Sequence, residues 1–157
     1  FSQNEYLAMQ MVSVVFFAIF IFVTCIYSDK LGRKTVLISI TLATLVFSLF
    51  AMQSLQHNVL TVMLFLCVGF ALMGGLFGPC GAYLPELFPT HVRYSGAGLS
   101  YNLAAILGGA FAPAISTALV KSTGAVESVG WYLAVMSLLA LIALFLIKES
   151  KDEDYEK

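Results

Sequence analysis

Charged side chains are scarce in this chain, and they are absent altogether from five long stretches of it. Asp, Glu, Lys and Arg make up 11% of the 157 residues, whereas soluble domains carry about 25%. The uncharged stretches cover residues 7–27, 35–54, 59–84, 95–119 and 128–147, and none of them contains histidine. Because an unpaired charge in lipid is costly, this distribution predicts membrane-spanning helices with ionisable residues confined to connectors and ends.

The sequence also has few cysteines and no recognisable set of catalytic side chains. The three cysteines, Cys25, Cys67 and Cys80, lie in apolar stretches, and their odd number and spacing fit neither a disulfide framework nor a zinc site. The sequence has no Ser/His/Asp, Cys/His or paired-carboxylate set and no phosphate-binding glycine loop. We therefore expect a protein that is not an enzyme, that uses no metal or cofactor and that binds no nucleic acid.

The uncharged stretches have the length that a bilayer requires. A helix rising about 1.5 Å per residue needs roughly 20 apolar residues to cross a hydrocarbon core about 30 Å thick. The connectors are short, so consecutive helices should pack as antiparallel neighbours. The predicted fold is an all-α integral membrane bundle of five antiparallel helices, followed at residues 148–157 by a charged, solvated tail.

The basic residues indicate an orientation. Seven of the eight Lys and Arg residues fall in segments 28–34, 85–94 and 148–157, which lie on one side of the predicted bundle. Positively charged loops favour the cytoplasmic side, so we expect a cytoplasmic C-terminus and Phe1 on the outer side. An outer start, no signal peptide and an odd number of spans fit the C-terminal part of a longer protein whose N-terminal half is missing.

Two segments carry a resemblance to a known family. In SDKLGRK (Ser28–Lys34), five residues match the loop pattern G-x-x-x-D-[RK]-x-G-[RK]-[RK] of the major facilitator superfamily, and Cys25 stands where that pattern has glycine. The second segment, LPELFPTHVRYSGAGLSYNLAAILGGAFAP (Leu84–Pro113), resembles the metabolite:proton symporter family. The five matching residues are Asp29, Lys30, Gly32, Arg33 and Lys34.

That resemblance implies a partial major-facilitator bundle, spans eight to twelve of twelve, in the plasma (inner) membrane. The implied function is secondary active transport of an organic acid or compatible solute by alternating access, with proton symport. A sugar or organic-cation porter of the same superfamily is the alternative. A stand-alone five-span structural subunit would explain the spans but neither of the two segments.

The resemblance also implies roles at the predicted cytoplasmic end. Asp29 is expected beside the N-terminus of the fourth span, and Arg33 is expected to reach Glu86, the acid that ends the third. We interpret the set as a latch that holds an inner gate shut; the alternative is a group of positive-inside anchors and loop caps. Arg93 is a further candidate, because it flanks Pro89 opposite Glu86 in the same connector.

Polar and small residues inside the spans give a second group of candidates. Gln10 and Ser13 on the first span, with Tyr101 and Asn102 on the fourth, are candidate cavity residues, although Asn102 could instead bond to a neighbouring helix. A third set, which could serve either static packing or hinge motion, consists of Gly74, Gly78, Pro79, Gly98, Gly109 and Pro113. The spans contain no acid or base, so a proton carrier is expected elsewhere in the protein.

Overall fold

Five long helices make up the computed structural model, which describes residues 2–51 and 58–147. They are α1 (Gln3–Leu31), α2 (Arg33–Ala51), α3 (Val59–Glu86), α4 (Arg93–Thr123) and α5 (Glu127–Leu146). Each is long and apolar enough to cross a membrane, and the described residues contain no strand. The prediction of an all-α, multi-pass membrane protein is confirmed. The tail at 148–157 lies outside the described residues.

The prediction that residues 28–34 form a loop is wrong. α1 continues to Leu31 and α2 begins at Arg33, so Gly32 alone joins them. The φ of Gly32 is 96°, and its N–H donates to the carbonyl of Ser28 at 3.0 Å. Because glycine has no Cβ, it adopts a positive φ at little cost. The chain therefore reverses within one residue, and the motif sits on two helix ends.

Contacts between helix ends show that consecutive helices run in opposite directions. Arg33, at the start of α2, pairs with Glu86 at the end of α3. Lys34 donates to the carbonyl of Ile147, directly after α5. The ends of α1, α3 and α5 therefore meet the start of α2, at what we call the charged end of the bundle.

The most extensive helix packing among the described residues is between α1 and α3, which run parallel to each other. A Cβ at Gly74 would overlap the carbonyl oxygen of Phe17, and one at Gly78 would lie 2.8 Å from the carbonyl oxygen of Ile21. The side chain of Pro79 is fully buried, and α3 continues through it as a helix. The two glycines let the helix backbones touch, which is how small residues support membrane helix packing.

α4 is packed very differently. None of its residues is buried, and it makes only limited contact with α3 and α5. A Cβ at Gly98 or Gly109 would meet nothing within 4 Å. Pro113 lies within the helix and is exposed, and its carbonyl accepts a hydrogen bond from the Thr117 hydroxyl at 2.8 Å. Gly98 and Gly109 therefore have no packing partner within the described chain.

Candidate functional site

The charged end is organised around the guanidinium of Arg33. Its Nη1 pairs with the Glu86 carboxylate, and its Nη2 lies 3.6 Å from Oδ1 of Asp29. The side chains of Arg33 and Glu86 are 27% and 16% exposed, whereas that of Asp29 is 70% exposed. Arg33, the first residue of α2, thus links the last turn of α1 to the end of α3.

Asp29 lies in the last turns of α1, and its carboxylate is mostly exposed. Its ion-pair partner is Arg33, four residues further along the chain. The one-residue joint at Gly32 brings the two side chains together by holding the end of α1 against the start of α2. At the N-terminus of α4, Val92 offers no side-chain hydrogen bond. The expected placement of Asp29 beside that helix stays a prediction.

The other basic residues of the charged end, Lys34, Arg93 and Lys30, each have a different environment. Lys34 lies where the carbonyls of α5 end, and a cation near a helix C-terminus is electrostatically favourable. Nε of Arg93 donates to the carbonyl of Phe88 at 3.4 Å. Lys30 is an exposed residue in the last turn of α1. Arg33 and Lys34, adjacent in sequence, thus hold the ends of two different helices.

A cleft opens between α3 and α4 next to the charged end. Its inner part has a volume of about 190 Å³ and is lined by Phe77 and Cys80 of α3 and by Tyr101 of α4. Its outer part, a groove of about 760 Å³, contains Arg93 and Asn102. The Phe77 and Tyr101 rings are 6.4 Å apart between centroids and meet at 82°. Two of the four predicted cavity residues therefore line one continuous cleft.

Comparison with known proteins decides the family, because the Major Facilitator Superfamily model matches residues 1–157. The chain belongs to the major facilitator superfamily. It is 44% identical over 153 residues to the inner membrane metabolite transport protein YhjE of Escherichia coli, and 44% over 152 to a putative metabolite transport protein of Haemophilus influenzae. Each match covers 96% of this chain and 34% of the relative.

A citrate-proton symporter of Salmonella typhi is 40% identical over 118 residues, which are 74% of this chain and 27% of that protein. The chain therefore spans about a third of the length of the metabolite transport proteins that it matches. No solved structure matches it. The names of these relatives agree with the predicted resemblance to metabolite:proton symporters.

The other two predicted cavity residues are placed away from the cleft. Ser13 is fully buried, donates to the Met9 carbonyl at 2.8 Å and lies 3.6 Å from the sulfur of Cys67. It belongs to the α1–α3 interface, so its assignment to a cavity is wrong in this structure. Gln10, one turn earlier on α1, is half-buried. The sequence did not reveal that α3 covers Ser13.

Two features of the site were missed by sequence reasoning. Phe77 sits between Phe17 and Tyr101, with ring centroids 6.0 Å and 6.4 Å away, but it appears in the sequence as one apolar residue among many. The contact of Lys34 with Ile147 spans 113 residues. No local pattern signals either contact, since both depend on how distant helices pack.

Proposed function

We propose that this chain is the C-terminal part of a secondary transporter that moves a small polar metabolite across the inner membrane by alternating access. The metabolite class is an organic acid or a compatible solute, and transport is coupled to protons. The observation that carries the proposal is the contrast between the two sides of α3. One side is tightly packed against α1, and the other borders an open cleft beside a nearly unpacked α4.

The contrast between the packed and the open side of α3 is expected in a helix bundle that alternates between two conformations. Transporter substrates bind near mid-membrane between structural repeats, and access alternates as one group of helices rocks against another. The α1–α3 crossing would move as one body, because the Gly74 and Gly78 contacts leave no room for sliding. α4 would complete its packing against helices from the rest of the transporter.

The charged end has the properties of an inner latch in this proposal. Arg33 fixes the end of α3 to the start of α2, while the Asp29 carboxylate is mostly exposed. In a second state Asp29 would approach the first turn of α4, where a helix N-terminus favours a carboxylate by about 0.3–1 kcal/mol. Exchange of Asp29 between Arg33 and α4 would then change the relative populations of the two states. In this proposal the latch and the C-terminus both lie on the cytoplasmic side.

Proton coupling needs a titrating group inside the membrane, and the uncharged stretches of the described helices contain no acidic or basic residue. No Asp, Glu, Lys, Arg or His lies within residues 7–27, 35–50, 59–84, 95–119 or 128–146 of the described chain. The proposal therefore assigns the proton carrier to another part of the transporter. A test of coupling must accordingly use the full gene product.

The experiment is substrate uptake by the full gene product in proteoliposomes, with and without an inward proton gradient. The panel contains citrate, proline, glycine betaine, glucose and tetraethylammonium. Uptake of an organic acid or compatible solute that the gradient stimulates supports the proposal. Uptake confined to glucose or tetraethylammonium would support the sugar or organic-cation alternative, and uptake of no compound would favour a structural subunit.

A further inference from the structure

The connector between α3 and α4, residues 87–92, is a compact turn whose two ends are held by backbone hydrogen bonds. The N–H of Phe88 donates to the carbonyl of Pro85 at 3.2 Å, so Phe88 continues the end of α3. The N–H of Gly96 donates to the carbonyl of Val92 at 2.7 Å, which is the first backbone hydrogen bond of α4. Few residues of the connector are therefore left without a fixed position.

Phe88 also contacts the first turn of α4, through both its ring and its carbonyl. A Cβ at Gly96 would lie 2.5 Å from Cδ1 of the Phe88 ring and 2.8 Å from two further ring atoms, so the ring lies directly against the glycine. The carbonyl of Phe88 accepts a hydrogen bond from Nε of Arg93 at 3.4 Å. One residue is thus held by the end of α3 and by the start of α4.

Beyond this first turn, little in the described chain fixes the direction of α4. None of its residues is buried, and it makes only limited contact with α3 and α5. A Cβ at Gly98, Gly108 or Gly109 would meet nothing within 4 Å. A helix of 31 residues is about 46 Å long, so a rotation of about 5° at its first turn displaces its far end by about 4 Å. The contact of Phe88 with Gly96 therefore has a large effect on where α4 lies.

The same end of α3 is held by the charged end of the bundle. Glu86, two residues before Phe88, pairs with Arg33 at the start of α2. We infer that Phe88 is a positioning residue, which couples the charged end to α4 through the contact of its ring with Gly96. A movement of the end of α3 that follows a change at Arg33 would then be passed to α4. The effect on uptake rests on the proposed function, whereas the contact itself is tested without transport.

A double-mutant cycle in the full gene product tests the contact. Gly96→Ala should lower the unfolding midpoint in detergent, because the added methyl overlaps the Phe88 ring. In a Phe88→Ala background the same change should have little effect, since the ring is absent. Residues in contact are coupled by about 2- to 150-fold in the unfolding equilibrium constant. Gly98→Ala is the matched control, and its effect should be the same in both backgrounds because a Cβ there meets nothing within 4 Å.

Positioning is measured as the distance between spin labels at Leu60 and Lys121, in the full gene product with its native cysteines replaced. Both residues are exposed, and they lie at the ends of α3 and α4 that are far from the connector. Phe88→Ala should shift or broaden this distance distribution and lower the maximal uptake rate severalfold with little change in KM. Phe88→Tyr, which keeps the ring, should retain both the distance and the rate.

Four results would overturn the inference. These are equal effects of Gly96→Ala in the two backgrounds, an unchanged label distance in Phe88→Ala, a change in Phe88→Tyr as large as that in Phe88→Ala, and a shifted distance with unaltered uptake. Failure of every compound in the uptake panel would instead refute the proposed function. In that case the cycle and the label distances would still decide whether Phe88 positions α4.

Discussion

At the scale of single residues, the charged end concentrates its interactions on Arg33. Its guanidinium pairs with two carboxylates in different environments, the mostly buried one of Glu86 and the mostly exposed one of Asp29. Charge-assisted hydrogen bonds in sheltered sites contribute more than exposed ion pairs do. The two carboxylates should therefore respond differently to substitution, with Glu86 governing stability and Asp29 governing conformational exchange.

Arg33→Gln should destabilise the full gene product by about 1.5–3 kcal/mol, because the sheltered Glu86 carboxylate loses its cation. The measurement is the unfolding midpoint in detergent. Arg33→Gln combined with Glu86→Gln should recover part of the loss, since the sheltered carboxylate that faced Arg33 is also removed. A double variant as unstable as Arg33→Gln alone would contradict a direct pair.

Asp29→Asn should lower the uptake rate severalfold while leaving the unfolding midpoint nearly unchanged. The exposed pair with Arg33 contributes only about 0–1 kcal/mol, but the latch needs the negative charge. The matched control is Glu127→Gln, which removes a carboxylate at the opposite end of the bundle. Unaltered uptake by Asp29→Asn would rule out the latch.

At the scale of helices, the positions of the membrane-spanning helices can be predicted from the distribution of charged residues, but the residues at which the helices end cannot. α1 has 29 residues, a length of about 43 Å, which exceeds the hydrocarbon core of about 30 Å and reaches both headgroup regions. The uncharged stretch 7–27 therefore predicted the span but not the polar turns at Gln3 and Asp29. α1 continues beyond the uncharged stretch into the headgroup region, where charged side chains are tolerated. It ends before Gly32, where the chain reverses direction.

The candidate site was predictable only in part, for a related reason. The pattern at Ser28–Lys34 directed attention to Arg33 and Glu86, which the structure brings together. Ser13 was predicted as a cavity residue, but the sequence could not show that α3 covers it. Periodicity describes one helix, whereas a cavity is a property of several helices, so Phe77 and Cys80 could not be recognised in advance.

Gly74→Ala should destabilise the protein by about 1–3 kcal/mol or more, because the added methyl overlaps the Phe17 carbonyl and neither backbone can yield cheaply. The matched control is Gly81→Ala on the same helix, where a Cβ meets nothing within 4 Å. Unfolding midpoints of the two variants in detergent provide the comparison. Equal midpoints would contradict the close α1–α3 crossing.

At the scale of the whole molecule, packing is uneven across the bundle. α1, α2, α3 and α5 all bury residues against one another, whereas α4 buries none. An α4 face of small residues without a partner suits close approach by another helix. In the proposed transporter that partner comes from beyond this chain.

The five-helix chain expressed alone should therefore transport nothing, even when it inserts in the membrane. The full gene product should show uptake under identical conditions, and co-expression of the chain with the rest of the transporter as a separate polypeptide should restore some of it. Measurable uptake by the chain alone would show that five helices suffice and would refute the proposed division of the transporter.

The single-residue joint at Gly32 has a consequence for biogenesis. α2 is the least apolar of the five membrane-length helices, and its Ser39, Thr41, Thr44 and Ser48 hydroxyls all bond to carbonyls of their own helix. With no linker to separate them, α1 and α2 are expected to leave the translocon as a helical hairpin, in which the more apolar α1 draws α2 into the lipid. Lengthening the joint with added residues would uncouple the two insertions and expose α2 to membrane quality control.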